Sequence, residues 1–420
     1  KWLNKTDADN IKLPTIKPRV TSGALAGPKG YLISWVEREL NNLGFTDEQL
    51  LIGGYVIKTT LDKDAQQAAV DAVDKQAPAK APENLHIGLV AIRPGTGEIL
   101  AMYGGKDYLK YQFNAATQGI TSAGSSFKPF ALIAALEQGV PLTSIWNGDS
   151  PKVYDDGLGR PYEVNNYGDE KWGDISLLNA TIHSVNTVYV PLGMKVGLDK
   201  VVDVARRAGI PENVEMVAAP SVSLGVASPH VIDLAASYAT FAAQGIYSKP
   251  FIISEVKGAN KGILYQGKIQ AQEVFNKDVM ADLTYALQQV TISGTGAVVR
   301  GIMPNRPAAG KTGTSNDNAS AWFNGYTPQM AASVSFYRDD ATQSLNGIGG
   351  LTSVTGGSFP ARIWATFAAS YLKNQPVADF PSPVNIGGTS PIDLRNSVPT
   401  LPLDSVLNTP TPKPSKSKKR

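Results

Sequence analysis

The chain has 420 residues, 42% hydrophobic and 18% charged, enough to bury a sizeable core in one large domain or two. Its formal net charge of +3, with no basic stripe ahead of the tail, excludes an electrostatic case for nucleic-acid binding. The lack of cysteine excludes disulfides and thiolate metal sites without fixing a compartment. The three histidines, His86, His183 and His230, form no pair at metal-ligand spacing. No apolar run reaches the roughly 18 to 20 residues of a membrane-spanning helix, and no signal peptide opens the chain. The first residues, Lys1-Trp2-Leu3, read as the middle of something longer, an excised or processed piece.

Residues 1–29 carry prolines at 14, 18 and 28 and little periodicity, and read as linker. Leu32, Trp35, Val36, Leu40 and Leu43 recur at helical spacing, with Gly44 suited to end the helix. Thr46 and Gln49 make a capping-box pattern for a short second helix, Tyr55–Thr60 reads as a strand, and Asp62 caps a helix with a narrow alanine stripe. His86–Ile92 and Glu98–Tyr103, joined by Pro94-Gly95-Thr96-Gly97, give a hairpin signal.

Gly124-Ser125-Ser126-Phe127-Lys128-Pro129 precedes a run apolar on all sides, so the helix it opens is buried; Pro129 fixes that helix's start near Ser125. Asp174–Ala180 begins another helix, which leads into His183-Ser184-Val185-Asn186. Ser228-Pro229 starts a helix that runs to Gly245, and Val279–Val290 is a further one. Ala321–Tyr326 and Ala331–Tyr337 pair around Thr327-Pro328, and Ala361–Leu372 is the last helix. From Pro376 onward prolines recur every few residues and the chain ends rich in lysine and serine, so 376–420 is expected to be a disordered tail.

A serine and a lysine three apart at a helix start share one face, the pairing that a serine nucleophile with a lysine base requires. The spacing occurs three times, at Ser125/Lys128, Ser254/Lys257 and Ser415/Lys418. Only the first sits at the start of a buried helix; the second lies in a β-like run and the third in the polar tail. A Ser-x-Asn follows at Ser184/Asn186 and the single Lys-Thr-Gly at Lys311-Thr312-Gly313, whereas the other Ser-x-Asn, Ser344/Asn346, comes after it.

This ordered triplet is that of the serine penicillin-recognising enzymes. Together with Lys58–Asp62, Phe113–Gln118, Lys311–Ser315, Ala321–Pro328 and Gly357–Trp364, it resembles the transpeptidase domain of class A (bifunctional) penicillin-binding proteins. The resemblance covers about residues 30–372 and implies a domain over 30–375, with 30–84 as N-terminal linker helices and strand. The fold it implies is α+β, a five-stranded antiparallel sheet packed between helices. Three positions depart from the family pattern. Ala115 stands where arginine is common, Ser122-Ala123 where Gln-Pro is common, and Ser320 where aspartate is usual before Ala-Trp-Phe.

By this resemblance Ser125 is the nucleophile, Lys128 its base, Ser184 a proton relay, and Asn186 the side chain that holds Lys128 and the donor peptide amide. Lys311, Thr312, Thr314 and Ser315 bind the substrate, the first three at its terminal carboxylate, while Gly313 leaves room for the substrate backbone. The backbone N–H groups of Ser125 and Thr314 form the oxyanion hole. The implied activity is D,D-transpeptidation of peptidoglycan stem peptides, donor and acceptor, with loss of D-alanine and with β-lactams acylating the same serine. No cofactor or metal is implied. The implied location is the extracytoplasmic face of a bacterial membrane, through an N-terminal anchor and beside a glycosyltransferase domain that this sequence does not contain; other wall-synthesis proteins are possible partners. The alternatives are a D,D-carboxypeptidase or β-lactamase-type hydrolase, and a β-lactam-binding sensor or pseudoenzyme. Glu163, the tempting hydrolytic carboxylate in Glu163-Val-Asn165, precedes Ser184 and so has the wrong order.

Overall fold

The computed structural model describes residues 22–340 and 342–408. Helix α1 (Lys29–Asn42) is followed by α2 (Asp47–Ile52), where Thr46 and Gln49 close the expected capping box, and by strand β1 (Val56–Thr59). Asp62 caps α3 (Lys63–Gln76) by accepting the N–H groups of Asp64 and Ala65, and the hairpin strands β2 (Leu85–Ile92) and β3 (Ile99–Tyr103) follow. Helix α4 (Lys128–Glu137) is buried from Lys128 to Leu136.

Next come β4 (Ile145–Asn147), β5 (Lys152–Asp155), β6 (Pro161–Val164) and β7 (Asp174–Ser176), then helices α5 (Leu177–Ile182), α6 (Asn186–Val196), α7 (Leu198–Ala208) and α8 (Val231–Ala242). Short strands β8 (Ile246–Ser248), β9 (Ile253–Lys257), β10 (Ile263–Gln266) and β11 (Ala271–Glu273) lead to α9 (Lys277–Ile292) and α10 (Val298–Ile302). The chain then enters β12 (Ala309–Thr314), β13 (Ser320–Thr327), β14 (Met330–Arg338) and α11 (Phe359–Tyr371).

The central sheet has five antiparallel strands in the order β12-β13-β14-β2-β3, so the Lys-Thr-Gly strand is an edge. Period-two alternation splits its side chains between two cores. Trp322, Tyr326, Ala331 and Val90 face the layer formed by α4, α6, α7, α8 and α9, and Ala321, Phe323, Val334 and Leu89 face α3, α10 and α11. The expected α+β fold, a five-stranded sheet between helices, is the one observed.

Two expectations are corrected. Asp174–Ser176 is a strand, because it pairs with β4, and the helix starts only after Ser176, whose side chain accepts the Asn179 N–H. The proline-rich stretch after Pro376, expected to be disordered, is laid against the body as far as residue 408. Buried Asp282 on α9 accepts the N–H groups of Val384, Asn385 and Ile386 at 2.7, 3.0 and 2.6 Å, and Ile392, Leu394 and Leu401 make backbone hydrogen bonds to Ile145 and Val153. A low apolar content does not prevent order when a buried carboxylate supplies three charge-assisted hydrogen bonds. Residues 1–21 of the expected linker and 409–420 of the expected tail lie outside the described residues.

Candidate active site

The expected nucleophile stands on a single 3₁₀ turn, Gly124–Phe127, which runs directly into α4. Three residues per turn bring side chains i and i+3 over one another, so Ser125 and Lys128 share an edge. The turn is fixed from beneath, where Ser126 Oγ donates to Ala123 O at 2.6 Å and Tyr238 Oη donates to Ser126 O at 2.8 Å. Gly124 has φ +53°, and a Cβ there would lie 2.6 Å from Thr314 O. Only glycine combines that conformation with so close an approach to β12. On the strand side, a Cβ at Gly313 would lie 2.5 Å from Ala123 O and 3.0 Å from Ser126 Cβ. The space kept open on the Cβ side of Gly313 is therefore filled by the serine turn.

Ser184 lies in the loop between α5 and α6 with φ +60°, a strained conformation for a residue with a side chain. Lys128 Nζ donates to Ser184 O, to Ser184 Oγ at 3.0 Å and to Asn186 Oδ1 at 2.7 Å. Lys311 Nζ, from β12, donates to the same Ser184 Oγ at 2.8 Å and to Thr312 O at 3.1 Å. Four of the five residues expected to be catalytic thus meet in one hydrogen-bonded cluster. Ser125, one turn before Lys128, is half-buried, and its Oγ makes no hydrogen bond among the described residues.

Both lysines have no exposed surface. Burial pushes the Lys128 ammonium well below its ordinary pKa and the charge of Lys311 pushes it further; burial alone lowers Lys311 to about 7. None of the hydrogen bonds just described goes to a carboxylate, so the desolvation of the two amines is offset only by neutral acceptors. The Lys128 ammonium also lies 5.3 Å from the centre of the Tyr189 ring.

The remaining expected residues follow β12 outward. Thr312 Oγ1 is 2.6 Å from Thr295 Oγ1, and Thr314 Oγ1 accepts the Gly356 N–H at 3.2 Å. Ser315 Oγ accepts the Ser320 N–H at 2.8 Å, which engages it in the turn between β12 and β13. The rival spacings disperse. Ser254 and Lys257 lie on strand β9, where positions three apart face opposite ways, and Ser254 Oγ donates to Lys58 O at 2.9 Å. Asn346 is held by Asn318 at 2.7 Å, away from the cluster, and Ser415/Lys418 lies outside the described residues.

Several residues of the site carry no sequence signal. Asn165 O accepts from Asn186 Nδ2 at 2.8 Å, and Asn166 Oδ1 accepts from Thr187 N and Oγ1 at 3.1 and 3.2 Å. Thr295 and Tyr189 are equally silent in the sequence, because each is recruited by tertiary packing from outside the three motifs. Glu163 hydrogen-bonds Asn165 Nδ2 at 2.9 Å and is exposed on β6. The Glu163-Val-Asn165 stretch, tempting as a hydrolytic motif, is thus a support for Asn186. Among the described residues no helix is long and apolar enough to cross a membrane and no cluster of potential metal ligands exists.

A serine on a helix-opening turn, beside two buried amines that share one hydroxyl, is an arrangement built for acyl transfer. Residues 87–342 match the penicillin binding protein transpeptidase domain, and the chain belongs to that family. It is 33% identical over 422 residues to penicillin-binding protein 1A of Mycolicibacterium smegmatis, covering 94% of this chain and 52% of that protein. Penicillin-binding protein 1A of Mycobacterium tuberculosis is 32% identical over 408 residues, covering 92% of this chain and 48% of the relative, so the chain spans about half the length of both. The solved PonA1 protein of Mycobacterium tuberculosis in complex with penicillin V superimposes with a TM-score of 0.77 at 32% identity, over 87% of this chain and 98% of the other.

Proposed function

We propose that this chain is the D,D-transpeptidase domain of a peptidoglycan synthase. The observation that carries the reading is the convergence of Lys128 and Lys311 on Ser184 Oγ, with Asn186 holding Lys128, one helical turn from the free hydroxyl of Ser125. The neutral amine of Lys128 takes the proton from Ser125 Oγ as that oxygen attacks the carbonyl between the last two D-alanines of a donor stem peptide. The resulting oxyanion lies between the N–H groups of Ser125 and Thr314. Collapse breaks the C–N bond, and the departing D-alanine amine receives the proton through Ser184. A primary amine from a second stem peptide then attacks the ester, loses its proton back along the same path and releases Ser125.

Lys311, Thr312 and Thr314 receive the donor's terminal carboxylate, for which a positive charge and hydroxyl donors are suited. Asn186 holds Lys128 on one side and the donor amide on the other. A β-lactam carries a strained amide and a carboxylate in a comparable relation, so it acylates Ser125 and persists. The domain works on the extracytoplasmic face of a bacterial membrane, where its substrate is. A water-activating carboxylate would favour hydrolysis, and among the described residues none hydrogen-bonds the cluster.

The test is labelling with a fluorescent penicillin followed by intact-mass measurement. One stable adduct is expected on Ser125 and none in Ser125→Ala. Labelling that survives the substitution would overturn the assignment, and rapid turnover of nitrocefin would turn it toward a hydrolase.

A further inference from the structure

Asn186 is held by chain that comes from two remote places. Its Nδ2 donates to Asn165 O, just beyond β6, at 2.8 Å. The next residue, Asn166, is buried and uses its whole carboxamide. Its Nδ2 donates to Gly148 O and Glu170 O, both at 2.8 Å, and its Oδ1 accepts Thr187 N and Oγ1. Helix α6 has no side-chain cap of its own at Val185. Asn166 satisfies one of the helix's orphan N–H groups from 21 residues away, at the residue after Asn186.

Asn165 and Asn166 in turn hang from two small ribbons, β4–β7 and β5–β6, of two strands each. An isolated two-stranded ribbon is marginal in water. The C-terminal segment supplies what each lacks. Beside β4, Ile145 N donates to Ile392 O and Leu394 N donates to Ile145 O, both at 2.8 Å; beside β5, Leu401 N donates to Val153 O at 2.8 Å. Arg395 adds a 2.7 Å contact to Asp174 on β7, and Asp282 anchors the start of the segment at residues 384–386. A continuous path of direct contacts therefore runs from Leu401 through β5 and β6 to Asn165, Asn186 and Lys128.

We propose that Asn166 is a positioning residue for Asn186, and that residues 384–401 act as a brace that holds the Asn165–Asn166 corner in place. The brace lies outside the family match at 87–342. The proposal rests on the acyl-transfer reading above for its kinetic consequence, though not for its structural one.

The experiment uses the full 420-residue chain with Leu394→Pro and Leu401→Pro together, which remove the two N–H donors without touching the cluster. Hydrogen exchange at the Thr187 amide is expected to accelerate at least tenfold, with central-sheet amides such as Val334 unchanged. Acylation by fluorescent penicillin is expected to slow at least tenfold. Its acid limb is expected to move to lower pH, because a loosened Asn186 no longer accepts from the Lys128 ammonium. Adding Asn166→Ala to the brace variant should slow acylation by much less than the product of the separate effects, since both act on one contact. Unchanged Thr187 exchange, a wild-type acylation rate and pH profile, or effects that simply multiply would each overturn the brace. A wild-type protein that fails to acylate would overturn the transpeptidase reading instead, and Thr187 exchange would still decide the structural claim.

Discussion

Lys128 and Lys311 donate to the same oxygen, Ser184 Oγ, at 3.0 and 2.8 Å. Burial depresses the pKa of both amines, and the charge of Lys311 depresses that of Lys128 further. Lys128 is pushed down by burial and by its partner, so it is the one that stands neutral. A neutral Lys128 has two N–H bonds, directed to Ser184 O and Asn186 Oδ1, so in its third contact the Ser184 hydroxyl becomes the donor and the amine lone pair the acceptor. In the proposed mechanism this divides the labour of the site by protonation state.

That division predicts a bell-shaped pH dependence for acylation by penicillin. The acid limb reports protonation of Lys128, whose pKa burial and the charge of Lys311 lower. The alkaline limb reports loss of the Lys311 proton, which burial sets near 7 in the free protein. A bound carboxylate favours the ammonium, so the alkaline limb should shift upward in the saturating rate relative to the second-order rate constant. Stopped-flow acylation across the range from acid to alkaline pH measures both. An alkaline limb that stays put in Lys311→Gln would assign it to another group.

Lys311 also makes the fold pH-dependent. Its pKa is about 7 in the folded chain against 10.5 ordinarily, so between those values the unfolded chain binds more protons and stability rises with pH. The cost is fully present below about pH 7 and is relieved toward pH 10. A fall of that size corresponds to an upper limit of roughly 4 to 5 kcal/mol, reduced by the bonds Lys311 makes to Ser184 Oγ and Thr312 O. Lys311→Met should therefore lose acylation while unfolding at higher urea than wild type at about pH 6, and the gap should narrow by about pH 9.5.

Gly313→Ala tests the contact between β12 and the serine turn. The added methyl meets Ala123 O at 2.5 Å, a backbone atom that cannot step aside alone, so the turn carrying Ser125 must move. Overpacking of this kind costs about 1 to 3 kcal/mol. The displaced nucleophile should slow acylation about a hundredfold, as ångström-scale misplacement does elsewhere. Thermal melts and labelling rates on the same preparation separate the two effects. A variant destabilised yet acylating at the wild-type rate would show that the turn does not set the position of Ser125.

Much of this is legible in the sequence because it is local. Pro129 and the apolar run after it mark the start of α4, the four-residue Pro-Gly-Thr-Gly turn marks the β2–β3 hairpin, and the order of the motifs selects one Ser-x-x-Lys from three. What is illegible depends on partners distant in sequence. Asn166 caps a helix that begins 20 residues later. Asp174–Ser176 is a strand only because β4 lies beside it. Proline-rich residues 384–401 are ordered by a carboxylate on α9 and by two ribbons more than 200 residues upstream. That Gly313 needs space can be read from its residue type, but the neighbour that takes the space can be read only from the fold.

Two departures from the family pattern touch each other, and this yields a last prediction. Ser320 is fully buried and its Oγ donates to Ser122 O at 2.7 Å, the same carbonyl that accepts Trp322 Nε1 at 2.9 Å. Position 320 usually holds aspartate in the family, but here a carboxylate would face a carbonyl oxygen already oriented toward donors. In Ser320→Asp the ionised side chain would be a buried charge without a partner, which costs about 3 to 5 kcal/mol. The protonated acid can still donate to Ser122 O, so the folded-state pKa of the new group would be raised above its unfolded value. Its destabilisation should then be small near pH 4 and should grow as pH rises through the folded pKa. Urea unfolding of Ser320→Asp at about pH 4.5 and about pH 8 decides the matter. A variant as stable as wild type at the higher pH would mean that the turn at Ser122-Ala123 supplies a donor to the carboxylate, and that the two departures are independent.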